Sequence, residues 1–173
     1  MVSEPRWLNE SQMRAWVHFL DASRLVEERV AQQLRRDHGI THFEYEVLVR
    51  LSATPQRRIR LADLAAQVVA ARPRLTHVID RLQQRGWVRR EAVPDDARGY
   101  FAVLTDEGFA ALESFAPSHV ETVRAALIDQ LTPGQIDALG DVMSHLSVKL
   151  RSDREGGCGW PSAGVRGTGT DSG

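Results

Sequence analysis

LADLAAQVVAARPRLTHVIDRLQQRGWVRR, residues 61–90, carries two short apolar-periodic segments in tandem. Leu61, Leu64, Ala65 and Val68 share one helical face, the pattern breaks over Val69 to Ala71, and Leu75, Val78, Ile79 and Leu82 make a second face. Pro73 suits the first turn of that second helix, where a missing N–H leaves no bond unmade, and Gly86 is a natural stop. Two short helices with a tight junction predict a helix-turn-helix. From Trp87 the period changes from helical to alternating. WVRREAV (87–93) and YFAVL (100–104) read as strands joined by PDDARG (94–99), in which Pro94, Asp95, Asp96 and Gly99 all favour turn backbone. A β-hairpin directly after the second helix is the order of a winged helix.

The flanks read as longer helices. Met13, Trp16, Leu20, Val26, Val30 and Leu34 recur at helical spacing, with a capping box at Asn9 and Gln12 and a stop at Gly39. Thr41 with Glu44 repeats the box and opens a helix through Tyr45, Val47, Leu48 and Leu51 that must end before Pro55. PQRRIR (55–60) reads as a basic loop. Thr105 caps a helix through Phe109, Leu112 and Phe115, continuing with a kink at Pro117 to Val120, Val123, Leu127 and Leu131. Thr132, Pro133 and Gln135 then start a last helix carrying Ile136, Leu139, Val142, Met143, Leu146 and Leu150. The tail is too rich in glycine, serine and threonine to pack and reads as disordered. The expected class is mainly α with a small β-hairpin wing. Its divisions are an N-terminal dimerisation helix at 1–39, a winged helix-turn-helix at 40–105, C-terminal dimerisation helices at 106–154 and the tail at 155–173.

Composition allows one compact domain with appendages, since 42% of the 173 residues are hydrophobic. A formal charge of -1 announces no nucleic-acid or membrane partner, so any such partner must be argued from charge distribution. With one cysteine, Cys158, no apolar run long enough to span a bilayer and no signal-peptide pattern at the amino terminus, a cytoplasmic location is expected. All basic residues but Lys149 are arginine, which favours forked contacts to phosphates and base edges.

Charge is in fact concentrated. Arg57 to Arg90 holds nine arginines against Asp63 and Asp80, a local net charge of +7, as phosphate neutralisation requires. With Leu75, Val78, Ile79 and Leu82 turned inward, Pro73, His77, Asp80, Arg81 and Gln84 point outward. The amino-terminal end of such a helix reaches base edges in the major groove, which nominates Arg72, Arg74, Thr76 and His77. Arg57, Arg58 and Arg81 are expected at phosphates, and Asp80 is unsuited to DNA unless paired. Arg98, at the hairpin tip, is placed to enter a minor groove, with Asp96 either holding the tip by an ion pair or merely decorating a solvated turn.

PDDARGYFAVLT (94–105) resembles the wing signature of the multiple antibiotic resistance regulator (MarR) family: an aspartate two residues before an arginine, then a strand ending in leucine-threonine, here Asp96, Arg98, Leu104 and Thr105. Residues 61–90 resemble that family's helix-turn-helix, and the likeness runs from about Asn9 to Arg151. It implies a dimer sharing its first and last helices, a role for Arg98 in the minor groove, and repression released by a small ligand or oxidant. Pro73 departs from the serine or other polar residue more usual there. The expected function is a sequence-specific DNA-binding regulator acting as a homodimer on a pseudo-palindromic operator. The alternative is a winged helix that binds another protein and no DNA.

Other chemistry is less well supported. His38 and His42 lie near Glu44 and Glu46 without metal-ligand spacing, so surface histidines and no metal are expected. Cys158 lacks the electropositive, ordered setting of a reactive thiol. No catalytic motif points to an enzyme, and no cofactor is implied. Trp16, Phe19, Phe43 and Tyr45 either line a cleft for a small aromatic effector or belong to the core.

Overall fold

The computed structural model describes residues 5–94 and 96–152, apart from the side chains of residues 97 and 98. The expected disordered tail and Cys158 lie outside the described residues. Helix α1 (Glu10–His38) opens on the Asn9–Gln12 capping box and closes at Gly39, whose φ of 64° is the left-handed conformation that glycine adopts without penalty. Helix α2 (His42–Ser52) opens on the reciprocal Thr41–Glu44 box. Helices α3 (Leu61–Gln67) and α4 (Arg72–Gln84) form the tandem pair, with Pro73 in the first turn of α4 as expected.

The sheet has one more strand than the sequence suggested. Part of the basic loop, Arg58–Arg60, is strand β1, which pairs with the second strand of the hairpin. Strands β2 (Val88–Val93) and β3 (Asp96–Leu104) are antiparallel, and the order is β1-β3-β2. In β1, Ile59 is buried opposite Ala102 while Arg60 faces out. Three residues with two arginines give no period to read, so only the pairing with β3 defines this strand.

Helix α5 (Asp106–Ala126) runs through Pro117 and ends five residues before the expected Leu131, with a 3₁₀ turn at Ile128–Gln130 intervening. Helix α6 (Pro133–Ser152) follows, opened by Thr132 and Gln135 as expected. Leu34, Leu48, Leu51, Leu64, Leu75, Ile79 and Leu82 are fully buried and join α1 to α5 and the sheet in one core. Removing one of these leucines to alanine costs about 2–5 kcal/mol in comparable cores.

The terminal helices are different. Helix α6 buries none of its residues, and Val142, Leu146 and Leu150 are exposed. The first half of α1 likewise presents Trp16 and Phe19, and only its C-terminal end, at Val30, Gln33 and Leu34, enters the core. Among the described residues no helix is long and apolar enough to cross a membrane, and no group of three or more His, Cys, Asp or Glu is placed to hold a metal.

Candidate nucleic-acid interface

Helix α4 turns Leu75, Val78, Ile79 and Leu82 into the core and leaves Pro73, Arg74, His77 and Gln84 exposed. Its N-cap is Ala71, which supplies no side-chain acceptor. Pro73 has no N–H, so among the described residues the Arg72 and Arg74 N–H groups are the ones left open to an anion at this end, where the helix dipole adds to the attraction. Thr76 is half-buried and its hydroxyl donates to the Arg72 carbonyl at 3.0 Å, which orients that oxygen away from a ligand. Between this end of α4 and the wing lies a cleft of about 540 Å³, with Arg60, Arg72, Thr76, Asp96, Gly99 and Tyr100 in its walls.

The arginines of the basic segment are not equivalent. Arg57 pairs with Asp106 at 3.0 Å and lies 3.6 Å from the Phe109 ring centre. Arg58 is 3.5 Å from Glu91 and 3.7 Å from the Phe101 ring centre, and Arg60 is 4.0 Å from Asp96. Arg74 covers Phe43 at 4.4 Å. Arg81 pairs at 3.1 Å with Glu44, which is buried, so this guanidinium holds α4 to α2. Arg85 donates to the Gly39 carbonyl at 2.8 Å, and Arg89 pairs with Glu91. Arg90 pairs with Asp80 and lies 4.7 Å from the Tyr100 ring centre. Asp80, unsuited to DNA alone, is thus paired. Among the described residues, Arg72 is the one arginine of the nine whose guanidinium has no such partner.

Much of the apparent +7 is therefore answered by Glu44, Glu91, Asp96 and Asp106, all outside the counted segment. Exposed pairs of this kind are weak and can exchange a carboxylate for a phosphate, whereas the Arg81 pair, with one partner buried, is structural. At the wing, the Asp96 carboxylate accepts from the Gly99 N–H at 3.0 Å, closing the turn on its own backbone. A Cβ at Gly99 would fall 2.2 Å from an Asp96 oxygen, so a larger residue there would push the carboxylate aside. The Arg98 backbone lies within that Asp96–Gly99 span of β3, where the pairing with β2 is irregular.

A second concavity, of about 720 Å³, lies between α1, α5 and α6, lined chiefly by Phe19, Val26, Val123, Leu139 and Met143 with His42 and His119. Of the four aromatic candidates only Phe19 borders it. Trp16 stacks on Phe19 at 6.2 Å, Phe43 lies under Arg74, and Tyr45 is buried 4.2 Å from the His119 ring. Nor are His38 and His42 free surface groups: both are half-buried, and His38 hydrogen-bonds Ser118 at 2.8 Å.

Burial holds the His119 imidazole down to about 4, with the charge of His42 adding to the effect. An unfolded histidine titrates near 6.5, so the native site binds its proton less readily than the unfolded chain. The stability this contributes is complete above about pH 6.5 and is lost as pH falls towards about 4. Between pH 7 and pH 5 the melting temperature is expected to fall more for the wild type than for His119→Leu, by thermal unfolding at each pH. Equal falls would mean that His119 is not the group responsible.

A helix-turn-helix with an uncapped recognition helix, backed by a three-stranded wing, defines a winged-helix DNA-binding protein. The MarR family model matches residues 40–100. The chain is similar to Sco3205, a MarR family transcriptional regulator from Streptomyces coelicolor solved in complex with DNA, with 44% identity and a TM-score of 0.80 over 86% of this chain and 92% of that one. It is also 30% identical to the HTH-type transcriptional regulator YkoM of Bacillus subtilis, over 75% of this chain and 82% of the relative. The HTH-type transcriptional repressor YetL of Bacillus subtilis is 24% identical over 82% of this chain and 86% of its own length. The chain belongs to the MarR family of transcriptional regulators.

Proposed function

We propose that the protein is a homodimeric repressor that reads a two-fold operator and releases it when a small apolar molecule binds. The observation that carries this reading is Arg72, without a side-chain partner among the described residues, at the start of α4 and facing the cleft beside the wing. Arg72 and His77 would read base edges in the major groove, with Arg74 close by once displaced from Phe43. Thr76, its hydroxyl turned to the backbone, would offer its methyl group to a thymine. Arg57 and Arg58 would exchange carboxylates for phosphates, Arg81 would support α4 through Glu44, and Arg98, braced by the Asp96 turn, would enter the minor groove. A winged helix of this family solved on DNA, 44% identical, supports the duplex over a protein as the partner.

Residues 1–39 and 106–154 would form the dimerisation region around a DNA-binding unit at 40–105. The exposed apolar faces of α1 and α6 support this, because a lone chain would leave them in water. Sedimentation at micromolar concentration is expected to give a dimer, and a stable monomer would overturn that part. The cavity between α1, α5 and α6, apolar with a neutral imidazole at its edge, suits an uncharged aromatic molecule.

Arg98→Ala tests the wing. It is expected to weaken binding to an operator selected from a random duplex pool by about tenfold, the effect of one lost groove contact. Gel-shift titration gives the affinity. Undiminished binding by a protein of unchanged melting temperature would remove Arg98 from the interface.

A further inference from the structure

The turn between α3 and α4 holds a conflict that the sequence does not advertise. Val69 has a φ of 52°, a left-handed conformation that a β-branched residue adopts only under constraint. Its N–H reaches the Ala66 carbonyl at 3.4 Å, a long bond, while the Ala70 N–H takes the Ala65 carbonyl at 3.1 Å. A residue from the far end of the chain sits against this turn. Arg151, in the last turn of α6, donates one guanidinium nitrogen to the Ala66 carbonyl and another to the Gln67 carbonyl, both at 3.3 Å.

Two features make this more than a surface contact. Among the described residues, the Gln67 carbonyl accepts from Arg151 alone. The oxygens that Arg151 reaches are also the negative end of the α3 dipole, where a fixed cation is favoured. A planar fork can serve two adjacent carbonyls at once, which a lysine ammonium does poorly. Arg151 also lies close enough to Arg50 of α2 for its charge to oppose that residue's own, so it is seated against the body of the DNA-binding unit.

We propose that Arg151 is a positioning residue for DNA recognition: from the last turn of α6 it clamps the Val69 turn and so sets the angle at which α4 presents Arg72. Only Ala70 and Ala71 separate Val69 from Arg72, so any relaxation of the turn moves the start of α4 directly. Motion of α6 would reach the recognition helix by the same contact. The inference rests on the regulator reading for its consequence, though not for its geometry.

Both levels can be tested on the full-length protein. Arg151→Ala is expected to speed amide hydrogen exchange at residues 68–72 about tenfold, with unchanged exchange in α2 and an unchanged dimer by sedimentation. Affinity for a selected operator is expected to fall about tenfold, and Arg151→Lys to fall in between. Val69→Gly removes the strain, since glycine adopts positive φ freely. In that background Arg151→Ala should weaken operator binding less than threefold. Unchanged exchange in Arg151→Ala overturns the clamp, as does an undiminished loss of affinity in the Val69→Gly background. If the wild type bound no duplex at all, the regulator reading would fail while the exchange measurement still decided whether Arg151 holds the turn.

Discussion

Arg72→Ala is expected to weaken binding to a selected operator by about thirtyfold, or about 2 kcal/mol, and to leave the melting temperature unchanged. The size follows from geometry. The other eight arginines between 57 and 90 already face a carboxylate, a carbonyl or a ring, and must exchange one partner for another to meet DNA. Their net gain is reduced by what they leave. Arg72 leaves only water, and it sits where the open N–H groups of α4 already draw an anion. Because it is exposed and makes no side-chain bond among the described residues, its removal is expected to leave the fold intact. Competition gel shifts with the selected and a scrambled duplex measure the effect. A loss no greater than that of an exposed residue at the far end of the helix, Gln84, would mean that the cleft beside the wing is not where bases are read.

Gly108→Ala is expected to destabilise the fold by about 3 kcal/mol, the upper end for an added methyl in a packed interior, and to lower the melting temperature by about 6–12 °C. Gly108 lies in the first turn of α5, where that helix is stapled to the start of β2. The Thr105 N–H donates to the Trp87 carbonyl at 3.0 Å, and the Thr105 hydroxyl donates to the Gly86 carbonyl at 2.7 Å while accepting from the Gly108 N–H at 3.0 Å. A Cβ at Gly108 would lie 2.2 Å from the Trp87 carbonyl oxygen and 2.9 Å from a Leu104 methyl. A backbone carbonyl held by the Thr105 N–H at the entry to β2 cannot move as a side-chain tip can, so the helix must shift as a unit. Thermal unfolding of Gly108→Ala beside Gly140→Ala, where a Cβ meets nothing within 4 Å, isolates the close approach. Similar melting temperatures for the two variants would show that α5 accommodates the methyl group freely.

The elements that were legible in the sequence are those with local punctuation. Asn9 with Gln12, Thr41 with Glu44, and Thr132 with Gln135 each write a helix start into four consecutive residues, and all three form reciprocal boxes. The hairpin followed from alternation and turn residues in the same way, although β3 begins at Asp96, inside the expected turn at 94–99, because the pairing with β2 resumes there across an irregular register. Strand β1 was not legible, because three residues carry no period and their strand character comes from Phe101, Ala102 and Val103 across the sheet. The early end of α5 was hidden too, since Leu127 and Leu131 keep the helical spacing while the backbone leaves the helix at Ala126.

For the candidate site, the sequence located the charge but not its engagements. Counting arginines over 57–90 says nothing of Glu44, Glu91 or Asp106, which fold onto that segment from elsewhere. Glu44 shows the difficulty well. Its place three residues after Thr41 explains it completely as a capping partner, and nothing local signals that its other oxygen meets Arg81 on α4. Arg151 and Val69, 82 positions apart, are linked only by the fold.

A salt titration of duplex binding tests the central claim most directly. Equilibrium affinity of the full-length protein is measured from about 50 to 200 mM salt on a duplex selected from a random pool and on a scrambled competitor. The selected duplex is expected to bind about a thousandfold more tightly than the scrambled one, with log affinity falling against log salt at a slope of about −4 or steeper. Equal affinity for both duplexes, or a slope near zero, would contradict the reading of α4 and the wing as a surface that fits DNA.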